Sequence, residues 1–155
     1  MKYITPLALF AIALFSSNVN ADLDLCPRNT KLFDYEDDGF FFPELQDSEH
    51  EICLDIKGEF KVDMPSIGSE VIFLAKKAHI KRAWKVGLYQ AIQLPTSDKL
   101  PILAGFSGTI RVCSYLPTEF RYIKRTDITF GVQILRPGDQ NAQIAICLGG
   151  DLKLM

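Results

Sequence analysis

Cysteine is the residue type in this chain whose chemistry is most direct. There are four, Cys26, Cys53, Cys113 and Cys147. An even number of cysteines in an exported chain is typical of disulfide bonds, and four cysteines allow three different pairings. We predict Cys26–Cys53 and Cys113–Cys147, one bond in each half of the chain.

Side chains in catalytic arrangements are sparse. The run Gly105-Phe106-Ser107-Gly108 misses the G-x-S-x-G pattern of a nucleophile elbow by one position, and we expect a turn that leads into a strand. His50 and His79 are not spaced as zinc ligands or as parts of a catalytic triad. Residues 34–39 begin like a calcium loop, but Leu45 stands where glutamate is needed, which favours a solvated acidic loop. We therefore predict no enzymatic activity, no metal and no cofactor.

The element that would present polar groups is a long strand over Ile52–Met64, in which apolar and polar residues alternate. A period of two indicates a β-strand with one apolar face and one polar face. At ~3.3 Å per residue the strand would be about 40 Å long, and a tilted strand needs about 9–11 residues to cross a membrane. The charged residues of the polar face are Asp55, Lys57, Glu59, Lys61 and Asp63.

A second long alternation covers Gln143–Lys153, and in a closed barrel this last strand could pair with Ile52–Met64. Cys113 and Cys147 both lie on polar strand faces, which is compatible with a cross-strand disulfide. Other segments follow the same pattern or break it. Strands are predicted over Thr109–Leu116, Phe120–Lys124 and Ile128–Ile134, and a turn over Pro137–Asn141.

Residues 69–94 fit both periods. Read as a strand, Trp84, Val86 and Leu88 share a face; read as a helix, Trp84 and Leu88 join a stripe with Ile80. We favour a strand, because the neighbouring segments are strands.

The N-terminus has the features of a secretory signal. Lys2 supplies a positive charge, Leu7–Phe15 is an apolar run, and Val19-Asn20-Ala21 is a small-x-small cleavage site. We therefore predict a signal peptide over residues 1–21 and a single β domain over residues 22–155, located outside the cytoplasm.

Charge is unevenly distributed along the mature chain. Residues 22–70 contain 14 acidic and 4 basic side chains, whereas residues 71–155 contain 5 acidic and 12 basic ones. The asymmetry fits two halves that attract each other in packing, or an acidic lip and a basic wall around a polar path. The basic half carries no recognition motif for nucleic acid, and we predict no such partner.

One stretch of the chain has a family likeness. Gly39-Phe40-Phe41-Phe42-Pro43, followed by Cys53-Leu54-Asp55-Ile56-Lys57-Gly58-Glu59-Phe60-Lys61-Val62-Asp63, resembles the mature N-terminus of alphaproteobacterial porins. Those proteins begin with a cysteine, a G-F/Y-F-x-x-P segment and a strand of the type C-L-x-I-x-G-x-V-R-x-D, so that Cys26 would match the first cysteine and Cys53 the second. The resemblance implies a porin-like barrel in the outer membrane that passes small hydrophilic solutes or has a structural role in the envelope. The polar residues of the first strand, Asp55, Lys57, Glu59, Lys61 and Asp63, would then face the lumen.

Length leaves a second architecture open. Residues 22–155 provide at most roughly eight to ten strands; eight-stranded barrels are packed inside, and water-filled porins use 16–18. The fold class is therefore all-β, either a shortened porin-like antiparallel barrel or a disulfide-stapled β-sandwich. The barrel would contact outer-membrane lipid and could form a homo-oligomer. The sandwich would be a soluble periplasmic or secreted protein that binds another protein, as an effector or inhibitor does.

Overall fold

Antiparallel β-strands form nearly all of the regular structure. The computed structural model describes residues 31–41, 50–93 and 100–153. The strands are β1 (Phe33–Phe41), β2 (Glu51–Phe60), β3 (Glu70–Lys77), β4 (Ile80–Gly87), β5 (Ile92–Gln93), β6 (Ser107–Tyr115), β7 (Thr129–Arg136) and β8 (Gln143–Lys153). A one-turn helix, α1 (Leu88–Ala91), and two short 3-10 helices, Thr118–Phe120 and Arg125–Asp127, complete the described elements.

The strands are divided between two sheets. Sheet I has the order β1-β2-β6-β5, and sheet II has the order β4-β3-β7-β8. One apolar core takes side chains from both sheets, with Leu54 and Ile110 from sheet I and Phe73 and Val132 from sheet II. The described strands therefore form a disulfide-linked β-sandwich, and the predicted all-β antiparallel class is confirmed in that form.

The alternation of β2 explains its place in the sandwich. Ile52, Leu54 and Ile56 are almost completely buried in the core, and burial of each such side chain is worth about 1.5–3 kcal/mol. The strand ends at Phe60, earlier than predicted, because the backbone bends immediately afterwards. Met64 is still buried and forms an isolated bridge with Ile102. The assignment of Met64 to the apolar face is thus correct, although the strand itself ends at Phe60.

The prediction for Gln143–Lys153 is confirmed, since β8 has these bounds. The predicted pairing of this strand with the first long strand is wrong. β2 lies between β1 and β6 in sheet I, whereas β8 pairs with β7 in sheet II. In a sandwich the two strands belong to different layers, so they have no common hydrogen-bond ladder.

Residues 69–94, whose pattern fits both a strand and a helix, are mainly strand, as predicted. It forms the hairpin of β3 and β4, which then continues into α1. Ala78, in the hairpin turn, has a φ of 51°, a conformation that is uncommon for residues other than glycine. Because no glycine or asparagine marks this turn, the alternation could be read as one uninterrupted segment.

Most of the shorter predictions are also confirmed. The strands predicted over Thr109–Leu116 and Ile128–Ile134 correspond to β6 and β7, and Pro137–Asn141 connects β7 to β8. The predicted turn before β6 contains Gly105, which has a φ of +89°.

Two short predictions are wrong. Residues 120–124 contain no strand, because the chain there leaves a 3-10 helix and continues through a turn. Phe120 is buried as an anchor for this loop. The acidic residues 34–38 lie within β1 instead of in a loop. Among the described residues, no helix combines the length and apolar character that a membrane crossing requires.

Candidate functional site

The described disulfide differs from the predicted pairing. Cys53 of β2 and Cys113 of β6 lie directly opposite each other and are bonded, with their Cα atoms 4.1 Å apart. Cys147 is also disulfide-bonded, but it lies on β8 in the other sheet and its partner is not Cys113. The pairings Cys26–Cys53 and Cys113–Cys147 are therefore wrong, because neighbouring strands, and not halves of the sequence, bring cysteines together. Cys26 lies outside the described residues.

This disulfide also determines whether a cluster of potential metal ligands in the described part of the chain can bind a metal. Glu51, Cys53 and Cys113 each place a ligand atom within 4.8 Å of the others. Metal binding by cysteine requires a thiolate, and here the two sulfur atoms are bonded to each other. The cluster consequently offers a single carboxylate.

The polar face of β2 is the face of sheet I that points away from the core, and Asp55 is its least exposed charged residue. Asp55 is only 5% exposed. Its two carboxylate oxygens accept hydrogen bonds from Nε and Nη2 of Arg111, at 2.7 Å and 3.0 Å. These hydrogen bonds raise the pKa of the Arg111 guanidinium. Asp55 is thus held in a two-pronged ion pair.

The other charged residues of this face form ion pairs close to the surface. Lys57 contacts Glu36 at 2.9 Å, and Lys61 contacts Asp34 at 3.1 Å and Glu59 at 3.2 Å. The hydrogen bonds to Asp34 and Glu59 raise the pKa of Lys61. Such exposed pairs contribute little to stability.

Asp63, the last residue of the predicted lumen-facing set, lies beyond β2. Its carboxylate accepts a hydrogen bond from the backbone N–H of Ala104 at 2.7 Å. The five residues therefore do not form one polar row, since β2 ends between Glu59 and Lys61. Their assignment to a lumen stays a prediction.

The most distinctive surface is at the end of the sandwich where β3 passes into β4. The loop that joins β6 to β7, residues 116–128, lies at the same end because β6 finishes there and β7 begins there. We call this surface the basic end. It comprises Lys77, Arg82, Arg121, Lys124, Arg125, Tyr115 and Tyr122.

Two ion pairs connect the loops of the basic end. Nε of Arg82 donates to Oε1 of Glu119 at 2.8 Å, and Nζ of Lys77 contacts Oδ2 of Asp127 at 3.2 Å. The hydrogen bond from Arg82 lowers the pKa of Glu119, so this carboxylate stays charged in mildly acidic solution. These two exposed pairs link the β3–β4 hairpin to the 116–128 loop, although each contributes little to stability.

The 116–128 loop is anchored from beneath. Leu116, Phe120 and Ile128 are buried in the sandwich core. Consecutive backbone hydrogen bonds run through both 3-10 helices, including Phe120 N–H to Pro117 O at 2.9 Å and Ile128 N–H to Arg125 O at 3.1 Å. The exposed side chains of the loop are therefore presented on a fixed backbone, which reduces the ordering cost when a partner binds.

Two tyrosines extend into solvent at the basic end. Tyr122 is 94% exposed and Tyr115 is 63% exposed. Tyrosine combines a large apolar ring with a hydrogen-bonding hydroxyl, and it is enriched at protein interfaces. The combination of cationic side chains with exposed aromatic rings suits an acidic surface that also has apolar positions.

Two buried nitrogen atoms lie beneath this surface. Nε of Arg125 and Nδ1 of His50 have no hydrogen-bond partner among the described residues. Nη2 of the same Arg125 donates to the carbonyl oxygen of Glu51 at 3.4 Å, and the residue opposite Glu51 is Tyr115. Buried polar groups are normally paired. Nε of Arg125 and Nδ1 of His50 are therefore two atoms at the base of the basic end that can still form hydrogen bonds.

Sequence reasoning did not identify this site. The excess of basic residues after residue 70 was its only signal, and the two loops that carry them are about 40 residues apart in the sequence. No protein-family model matches the chain, and no curated protein matches it. The resemblance of residues 39–63 to porins stays a prediction.

Proposed function

We propose that this protein is an exported β-sandwich that binds an acidic partner protein through its basic end. The observation that carries the proposal is the convergence of two loops, rigidly anchored and rich in lysine and arginine, around two exposed tyrosines. Anchored aromatic and arginine side chains are the residues that dominate binding energy at protein interfaces. Export through a signal peptide over residues 1–21 is part of the proposal.

A protein is favoured over a phosphate polymer by the mixture of charges. Glu119 and Asp127 lie among the basic residues and pair with Arg82 and Lys77. Surfaces that bind nucleic acid are more uniformly basic, because most of their affinity comes from neutralising phosphates. Interspersed charges of both signs instead discriminate between protein partners, since a wrong partner meets like charges.

Passage of hydrophilic solutes is the second candidate function, and the resemblance of residues 39–63 to porins is the observation that favours it. The interior between the two described sheets is filled by apolar side chains such as Ile56, Phe73 and Phe130. A packed interior supports binding at the surface more than passage through the molecule. Outer-membrane location belongs to this second candidate.

The test measures binding of a fluorescein-labelled polyglutamate peptide to the purified mature chain over a range of salt concentrations. Wild-type protein should bind with an affinity that falls as salt rises, because exposed charges are screened. The double variant Tyr122→Ser/Lys124→Gln should bind about tenfold more weakly, equivalent to about 1.4 kcal/mol. Both side chains are exposed, so the fold should be unaffected.

The matched control is Tyr89→Ser/Lys85→Gln, which removes an exposed tyrosine and one positive charge towards the opposite end of the sandwich. Its affinity should stay within about twofold of wild type. Equal loss in both variants, or tighter binding to phosphatidylglycerol vesicles or single-stranded DNA than to the peptide, would refute the proposal. Ion conductance by wild-type protein in a planar bilayer would favour the second candidate.

A further inference from the structure

The outer face of sheet II carries an apolar patch that is buried although it points away from the core. Ile72 and Leu74 of β3 are 4% and 0% exposed. They form a cluster separate from the main core, against which Ala83 and Leu135 pack. Ala83 and Leu135 lie in the same sheet, on the strands either side of β3. They pack beside Ile72 and Leu74 and do not lie over them.

Polar residues beside the patch are buried as well. Gln133 of β7 lies opposite Ile72 and is 4% exposed, and Cys147 of β8 lies opposite Gln133 and is 1% exposed. Nε2 of Gln133 is 3.9 Å from Sγ of Cys147. A single sheet face does not bury an amide and a sulfur by itself, so this face has a cover.

We propose that residues 22–30 form this cover and are fastened to it by a disulfide between Cys26 and Cys147. Cys147 is disulfide-bonded, and Cys53 and Cys113 are bonded to each other. The chain contains four cysteines, of which Cys26 is the remaining one. We call residues 22–30 the N-terminal strap.

The start of β1 lies close enough for the strap to reach Cys147. The hydroxyl of Tyr35 donates to the carbonyl oxygen of Cys147 at 3.4 Å and accepts from its backbone N–H at 3.3 Å. Tyr35 lies nine positions after Cys26, and an extended chain of that length spans up to about 30 Å. A disulfide at Cys147 is therefore within reach without moving β1.

The composition of the strap complements the face that it would cover. Its first residues are Asp22-Leu23-Asp24-Leu25, which supply two apolar side chains for Ile72 and Leu74 and two carboxylates. The outer face of β3 and β4 carries Lys76 and Lys81 beside the patch, and Lys85, which pairs with Glu70 at 3.3 Å. Opposite charges therefore meet around an apolar contact, and this arrangement fixes orientation as well as burying surface.

The proposal is tested by zero-length carbodiimide cross-linking of the mature, oxidised chain, followed by peptide mass spectrometry. Lys76 or Lys81 should be joined to Asp22 or Asp24, and peptide mapping should find Cys26 linked to Cys147. In the double variant Cys26→Ser/Cys147→Ser, the yield of the strap cross-links should fall at least about fivefold, since the tether is lost. The cross-link between Lys57 and Glu36, 2.9 Å apart in sheet I, should form equally in both proteins and is the internal control.

Three results would overturn the proposal. One is cross-linking of these lysines to acidic residues of 42–49 or 94–99 in place of the strap. Another is a strap cross-link yield that is the same with and without the two cysteines. The third is a disulfide map in which Cys26 is free or bonded elsewhere.

Discussion

At the scale of single residues, the ion pair between Asp55 and Arg111 is the described contact that most strictly requires both of its partners. A carboxylate removed from water needs a partner charge and hydrogen bonds to stay ionised. Arg111 supplies both through two nearly parallel N–H groups. The polar face of β2 therefore contains a buried carboxylate, Asp55, that the fold must keep paired. The alternation of polar and apolar residues did not distinguish Asp55 from the exposed lysines on the same face.

Replacing Arg111 tests this dependence. Arg111→Met should lower the free energy of unfolding by about 2–4 kcal/mol, somewhat less than the 3–5 kcal/mol of a fully buried pair, because Arg111 is partly exposed. Urea denaturation at neutral pH measures the change. Lys57→Met, which breaks an exposed pair on the same face of β2, should cost less than about 1 kcal/mol. Similar losses in the two variants would show that Asp55 is not held by its pair.

At the scale of elements, the sequence predicted strands well where side chains alternate and poorly where tertiary contacts decide. β2, β6, β7 and β8 follow from a local period of two, because each strand has one face on the core. The stretch after Phe120 has the composition of a strand, but Phe120 is used as a buried anchor for a loop. The basic end was not predictable, since it depends on which loops the two sheets place side by side.

The contact between β1 and β2 depends on a glycine. A Cβ atom at Gly58 would collide with the carbonyl oxygen of Asp34 and would lie 2.6 Å from Cζ of Phe33. Gly58→Ala should therefore force β1 away from β2 and cost about 1–3 kcal/mol of unfolding free energy, as overpacking does. Thermal or urea denaturation measures the loss.

Gly87 provides the matched control for this substitution. It ends β4, and a Cβ atom there meets nothing within 4 Å. Gly87→Ala should change the unfolding free energy by no more than about 0.5 kcal/mol. If Gly58→Ala is equally harmless, β1 is not packed against β2 as described.

At the scale of the whole molecule, the bond between Cys53 and Cys113 constrains the unfolded chain. The cysteines are 60 residues apart, and in the chain-entropy account a loop of that length stabilises the folded protein by about 4 kcal/mol. Cys53→Ala/Cys113→Ala should lose about that amount in urea denaturation. Thr109→Ala, also on the outer face of β6, should change stability by less than about 1 kcal/mol. A loss equal to that of the control would contradict the loop-closure argument.

Taken alone, the same bond closes residues 53–113 into a ring, from which an amino-terminal and a carboxy-terminal segment extend. The ring contains β3, β4 and β5 and most of β2 and β6, so it includes strands of both sheets. The amino-terminal tail adds β1 to sheet I, and the carboxy-terminal tail adds β7 and β8 to sheet II. A protease that cuts once between Cys53 and Cys113, for instance at the exposed Ile67, would open the ring without releasing a fragment. Nicked protein, heavier only by the water added on hydrolysis, would migrate as one species in a denaturing gel until a reductant is added.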